Sequence, residues 1–554
     1  MHSDRNSHII ITWEFPFFLD LYFLLQRSLH IFRLIGINKG ENMFNTIVSG
    51  AFCGIDSYLV QVEVDVAQGL PCMEMVGCLS REAGESKQRI RVALRNIGVR
   101  LPPSRITINL SPADRYKSGT AFDLPAAVGL LVSMGLVEAE RTKNILFAGE
   151  LGLGGELKRV KGILPIVKAA ADAGVQSCII PAENGQEAAV LSGVRVYGAT
   201  HMAQVVKALQ DGMEEAGLYV VKAEKSGAGQ RKSHREDFAD VCGQETVRRG
   251  AEIAAAGFHH MLFVGPPGSG KTMIAKRLPS IMPPLTLEES LEVSAVYSVC
   301  GRLKGGRILE ERPFLAPHHT ATGPSMVGGG RVPVPGAVSL AHRGVLFLDE
   351  LPEFQRSVLD MLRQPLEERR VRIARSSGNI EYPADFMLVG AMNPCPCGYY
   401  PDKRCTCSQT QIRRYLGRIS GPVLDRMDLC VEVPGMEREK LFCQERGESS
   451  ASMRSRIQRA REMQEKRFGS RLRFNGEMGV GEIRAYCRLS REGEVRLQQA
   501  AEIFSMSLRA CHKVLRTART IADLAGEEEL SAYHISEAVY YRQSASAYWE
   551  RMME

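Results

Sequence analysis

The stretch Gly265-Pro-Pro-Gly-Ser-Gly-Lys-Thr272 constrains this 554-residue chain more than any other. It follows directly on the apolar run Met261-Leu-Phe-Val264, and a helical pattern begins near Met273. Strand, glycine loop and helix in that order, with G-x-x-x-x-G-K-T at the junction, make a P-loop. Gly265, Gly268 and Gly270 let backbone N–H groups converge on phosphates without a Cβ in the way, and Pro266, Pro267 and Ser269 complete the loop. The helix adds the positive end of its dipole. Lys271 is placed to reach the β- and γ-phosphates and Thr272 to hold Mg²⁺, so ATP and Mg²⁺ are the expected cofactors.

Two further strands end in polar residues of the right kind. Gly344-Val-Leu-Phe-Leu-Asp-Glu350 carries four consecutive apolar residues, as a strand buried on both faces of a parallel sheet does. Asp349 at its end suits the Mg²⁺ shell, and Glu350 is placed to polarise an attacking water. Phe386-Met-Leu-Val-Gly-Ala-Met-Asn393 is another buried strand, whose Asn393 can orient water beside a γ-phosphate; the alternative is an Asn that caps the loop before Pro394. Just beyond it, Cys395, Cys397, Cys405 and Cys407 fall as C-x-C, seven residues, C-x-C. Four thiols so close suit tetrahedral, structural Zn²⁺, with free thiols or a redox pair as the alternative.

The chain is too long for one core, and its 14 cysteines without a secretory signal point to a reducing compartment, hence the cytoplasm. The net charge of +7 permits an anionic partner without arguing for one. Phe15 to Ile37 is apolar, but Asp20, Arg27 and Arg33 interrupt it, so no membrane span is expected. Residues 1–42 are expected to be a leader preceding a start at Met43. Residues 43–221 read as a mixed α/β domain, with strands at Tyr58–Val66, Ile106–Leu110 and Ser177–Pro181 and helices at Ser86–Asn96 and Asp123–Met134. A polar, glycine-containing linker spans 222–236, a second α/β domain 237–453, including the cysteine loop 395–407, and a helical domain 454–554. The basic run Arg454 to Arg473 reads as a solvated helix face.

GPPGSGKT, GVLFLDE, VGAMNP and SGPVLDRMDL in this order, with APHHTATGPSMVGGG before the second, resemble the magnesium-chelatase-like AAA+ ATPases and, within them, the ComM/YifB family. The resemblance runs from Met43 onward and implies an α/β fold class: a degenerate Lon-peptidase-like α/β domain, an AAA+ P-loop core with a parallel sheet and helices on both faces, and a C-terminal helical lid. It implies that Arg426 is an arginine finger completing the site of a neighbouring subunit in a homo-hexamer, and that Arg509 is the lid's sensor arginine, with Arg516 and Arg519 as rivals. Residues 147–190 and 119–127 resemble the Lon peptidase, but its serine position falls in Ala121–Asp123 and its lysine position in Gly162–Ile166, so no protease is expected. Lys158, Lys161 and Lys168 are read as solvated charges, and His318 with His319 as a packed turn.

The same resemblance places a hairpin at Arg370–Pro383, with Arg372 and Arg375, and a loop at Gly328–Gly336, with Arg331, in a central pore where they would meet DNA phosphates. It implies a DNA motor, a helicase or branch-migration enzyme on single-stranded or branched DNA, acting with recombination proteins in recombination or natural transformation. The alternative is a protein-remodelling ATPase like the magnesium-chelatase motor subunit.

Overall fold

A computed structural model describes residues 44–224, 236–330, 333–375, 378–435 and 446–550. The expected leader, most of the expected linker and Arg331 lie outside the described residues.

The first α/β unit is built on β1 (Asn45–Cys53), β2 (Asp56–Ala67), β3 (Cys72–Val76), β4 (Arg105–Ser111) and β5 (Ile145–Phe147), joined by β8 (Ser177–Pro181) and β9 (Arg195–Ala199); between them β6 (Glu150–Leu151) and β7 (Leu157–Lys158) form a separate small hairpin. The seven strands run in the order β3-β4-β2-β1-β5-β8-β9. Pairing is antiparallel from β4 through β2 to β1 and parallel at both flanks, so the sheet is mixed. The alternation in β2 puts Val60, Val62 and Val64 in the core while Gln61 stays exposed. At the positions aligned with the Lon dyad, Ala121, Ile163 and Ile166 share one apolar cluster. Asp123 is buried and tied to Arg89 (2.6 Å) and to the Leu151 amide (3.1 Å). Lys158, Lys161 and Lys168 are exposed, as expected of solvated charges.

The second unit contains β10 (Met261–Val264), β11 (Phe314–Leu315), β14 (Val345–Leu348), β17 (Met387–Met392) and β18 (Leu429–Glu432) in the order β11-β14-β17-β10-β18, every pairing parallel. Its strands alternate between two cores. Met261, Phe263, Val345 and Phe347 face a cluster shared with helices of the C-terminal lid, while Leu262, Val264, Leu346 and Leu348 face the opposite cluster. A sheet buried on both faces is what the unbroken apolar runs require. Two hairpins project from this unit: β12 (Gly328–Gly329) with β13 (Val334–Pro335), and β15 (Arg370–Arg375) with β16 (Gly378–Pro383).

The two units touch along the helix Leu287–Val299. Its Ser298 hydroxyl donates to the buried Glu187 carboxylate (2.8 Å), and its Ser298 carbonyl accepts from the Gly162 amide (3.0 Å). The hairpin β15–β16 also leans on the first unit, since a Cβ at Gly54 would come within 2.8 Å of Ile380.

The lid consists of helices from Ser450–Phe468 to Ala532–Glu550. Its first helix corrects the expectation of a solvated basic face. Arg456 pairs with Glu252 and Glu448, Arg461 is buried and bonds the Gln464 side chain and the Arg471 and Arg473 carbonyls, and Arg467 holds the fully buried Asp523 (2.6 Å). These guanidinium groups bind the lid to itself and to the sheet unit, because their long apolar stems can be buried while the fork reaches a carboxylate or carbonyl. No helix among the described residues is long and apolar enough to cross a membrane.

Candidate nucleotide site

Three neighbouring strands of the parallel sheet end at one place. The loop after β10 carries the P-loop, the end of β14 carries Asp349 and Glu350, and Asn393 follows β17; register pairs Val264 with Met392 and Leu348 with Gly390. The crevice outside the carboxyl ends of parallel strands is where this architecture binds ligands.

Within the loop Gly268 (φ +75°) and Gly270 (φ +88°) are left-handed, a conformation open to glycine at no steric cost, and Gly270 caps the helix Lys271–Ile281. Gly265 admits no side chain, since a Cβ there would lie 2.2 Å from the Val433 carbonyl oxygen. Ahead of Gly268, Pro266 is half-buried and Pro267 exposed, and Ser269 after it is buried. Lys271 Nζ donates to the carbonyls of Gly265 (2.7 Å) and Pro266 (2.8 Å) and to Asn393 Oδ1 (3.1 Å). The Thr272 hydroxyl donates to Asp349 (2.7 Å). An ammonium held by neutral acceptors alone is a ready partner for phosphate, and a hydroxyl beside a carboxylate is the hard oxygen pair Mg²⁺ takes. The residues present therefore fit both groups.

Burial pushes the Lys271 ammonium down to about 8, with the Asp349 carboxylate opposing the shift. Below that pH the free site already carries the charge that phosphate needs, whereas above it binding must take up a proton. ATP affinity is expected to be flat below pH 8 and to fall above it by up to about tenfold per pH unit, as titration of binding against pH will show. Lys271→Arg, which stays charged, should flatten the profile.

Glu350 adopts φ +51°, and its side chain points into solvent beside the site, where Oε2 lies 3.5 Å from His319 Nδ1. Here the expected packed histidine turn is corrected. His318 is exposed, its ring tilted against that of His319 (centroids 4.1 Å apart), and β11 delivers His319 to the end of β14 because the two strands pair in parallel. Gln244, which the sequence reading passed over, donates to the Ser269 carbonyl (3.2 Å) and braces the loop from the helix Glu245–Gly257. Its only sequence signal is a polar residue just ahead of a helix.

The two arginines lie elsewhere. Arg426 precedes β18, whose residue Leu429 pairs with Met261, so it sits at the amino end of the sheet, opposite its own P-loop. It is buried, bonds Pro422 O (2.5 Å) and pairs with Glu367; the exposed Arg509 pairs with the same carboxylate (3.0 Å). Both line a cavity of about 690 Å³ together with Lys513, Arg516, Asp428 and Glu477. Lid packing holds Arg509 beside Arg426, on the same Glu367 carboxylate. Of its rivals, Arg519 is buried and consumed by Asp523 and the Glu527 and Glu528 carbonyls, while Arg516 lines the cavity.

Of the arginines expected to meet DNA, Arg372 faces Glu381 across the hairpin (3.1 Å) and Glu368 (3.5 Å), so its charge is offset. Arg375 ends β15, next to residues 376–377, which lie outside the described residues.

The four cysteines converge. The Sγ atoms of Cys395, Cys397, Cys405 and Cys407 all lie within 4.8 Å of one another, and Cys395 is buried.

Three family models match the chain. "Magnesium chelatase, subunit ChlI" matches residues 237–441, "Subunit ChlI of Mg-chelatase" 62–184 and "Magnesium chelatase, subunit ChlI C-terminal" 447–542. The competence protein ComM of Haemophilus influenzae is 41% identical over 497 residues, covering 90% of this chain and 97% of that protein. YifB of Escherichia coli is 39% identical over 496 residues, covering 89% and 96%. Lon protease 2 of Bacillus subtilis is 26% identical over 242 residues, 37% of this chain and 42% of that protein.

Proposed function

The chain belongs to the ComM/YifB family of magnesium-chelatase-like AAA+ proteins, and from that premise we propose that it is a Mg²⁺-dependent ATP hydrolase that moves on DNA during recombination. The observation that carries the hydrolase reading is the convergence of Lys271, Thr272, Asp349, Glu350 and Asn393 at the ends of three parallel strands. Lys271 would hold the β- and γ-phosphates, with the loop amides cradling them, and Thr272 and Asp349 would hold Mg²⁺, which would screen the phosphate charge. Glu350 accepts the hydrogen bond of the attacking water and Asn393 orients it beside the γ-phosphate; ADP and inorganic phosphate leave. Arg426, assisted by Arg509, neutralises the developing charge in the site of the next subunit of a homo-hexamer. Their distance from their own P-loop supports that assignment.

The Lon-like unit serves as a scaffold in this reading, because apolar side chains and a salt-bridged carboxylate occupy the positions where a serine–lysine dyad would be needed. DNA as the track rests on the likeness to a competence protein over nearly the whole chain, and Arg331, Arg372 and Arg375 are its proposed contacts. A protein-remodelling motor is the second reading, favoured by the carboxylates that offset Arg372. Steady-state ATPase with single-stranded and forked DNA at two salt concentrations separates them. Stimulation by DNA that weakens with salt is the expected result, since phosphate contacts release counterions. Turnover indifferent to DNA would move the substrate to protein.

A further inference from the structure

The cysteine loop lies against the nucleotide site. Cys395 comes two residues after Asn393, whose side chain is bonded to Lys271. Gly398 packs on the P-loop itself: it adopts φ +83°, and a Cβ there would come 2.4 Å from Pro267 Cδ and 2.7 Å from Pro267 Cγ. Past Cys407, Ser408 caps the helix Gln409–Leu416, which buries Ile412, Tyr415 and Leu416 in the cluster that also takes Met392 and Cys395. The loop therefore spans from the residue that touches Lys271 to the helix behind it, and it touches the P-loop on the way.

Between Asn393 and Ser408 the chain forms neither helix nor strand. What organises it is a set of contacts centred on sulfur. The Gly398 and Tyr400 amides donate to Cys395 Sγ (3.2 and 3.4 Å), and the Cys397 amide donates to Cys407 Sγ (3.4 Å). Amide N–H groups aimed at sulfur stabilise thiolates and orient them as metal ligands. The sulfurs of Cys395, Cys397 and Cys405 are separated by 3.4, 3.5 and 3.7 Å. These spacings are close to the edge of about 3.8 Å that a tetrahedron of Zn–S bonds implies, and well beyond a disulfide bond of about 2.05 Å. Four thiolates close the coordination shell and leave no open position, so the ion supplies structure only.

The geometry points to a Zn²⁺-held strut: the ion bound by Cys395, Cys397, Cys405 and Cys407 presses Gly398 onto Pro267 and fixes Asn393 against Lys271, so that metal occupancy sets the affinity of the P-loop for nucleotide. The inference rests on the reading of the P-loop as an ATP site. Without the ion, thirteen residues that carry no helix or strand lose their centre, and both contacts with the nucleotide site loosen together.

The test uses the full chain, with zinc content measured by elemental analysis and affinity by titration with a fluorescent ATP analogue in Mg²⁺. The purified protein should carry one zinc per chain. Cys405→Ser with Cys407→Ser should lose the metal and bind nucleotide about tenfold more weakly. Gly398→Ala keeps all four thiols and should retain zinc while weakening nucleotide binding, a result that loss of fold does not produce. Reversible stripping of the wild-type chain with a chelator and return of Zn²⁺ alone should lower and then restore affinity. Zinc-free protein with four titratable thiols, or equal affinity with and without the metal, would overturn the strut. A zinc-loaded chain that binds no nucleotide would instead remove the ATP site, and the strut with it.

Discussion

Glu350→Gln is expected to slow ATP turnover by at least about a hundredfold, within the range for loss of a group that handles the proton of an attacking water, while ATP binding stays nearly unchanged. The separation follows from the geometry. Glu350 makes none of the contacts that hold Lys271, and the Thr272–Asp349 bond does not depend on it. Its side chain is 60% exposed, so an amide of the same shape strains nothing. Phosphate release and analogue binding on the same preparation will measure both quantities. Turnover that survives would strip Glu350 of its role and shift attention to His319, whose Nδ1 lies 3.5 Å from the Glu350 carboxylate.

The second large effect concerns a residue that touches no part of its own P-loop. Arg426→Ala should lower turnover by about a thousandfold, the lower end of what an arginine finger supplies. Stability should change little. The partner left behind, Glu367, is half exposed and keeps Arg509 at 3.0 Å, so no buried charge is stranded. Two arginines sharing one carboxylate in the lining of a cavity of about 690 Å³ are positioned to exchange that carboxylate for a phosphate. A drop in activity with an unchanged melting temperature would fit this account; a drop in both would mark Arg426 as a packing residue.

How far the sequence led is best seen in particular elements. The strands around the P-loop were legible because burial on both faces leaves an unbroken apolar run, which in β14 and β17 gives way to a polar residue and in β10 to the glycine loop. Strand β2 was legible for the opposite reason, a period of two. The helix Ser450–Phe468 was misread because a run of arginines looks the same whether it faces water or carboxylates brought in from elsewhere; Glu252 is 204 residues from Arg456. The His319–Glu350 approach depends on β11, a strand of two residues with too little length for any period. The pairing of Arg426 and Arg509 on Glu367 needs the docked lid, and the contact of Gly398 with Pro267 needs the cysteine loop folded back. Neither leaves a local pattern.

If each catalytic site is assembled, as proposed, from the P-loop of one chain and the arginines of the next, two inactive variants should rescue each other when mixed. Lys271→Ala removes the phosphate-binding side of the site and Arg426→Ala the opposite side, so each alone should be nearly silent in steady-state ATPase. Mixed at equal concentration, they should regain turnover, because some junctions then pair an intact P-loop with an intact Arg426. Turnover that stays at the level of the separate variants at every mixing ratio, in samples shown to co-assemble, would contradict the shared site.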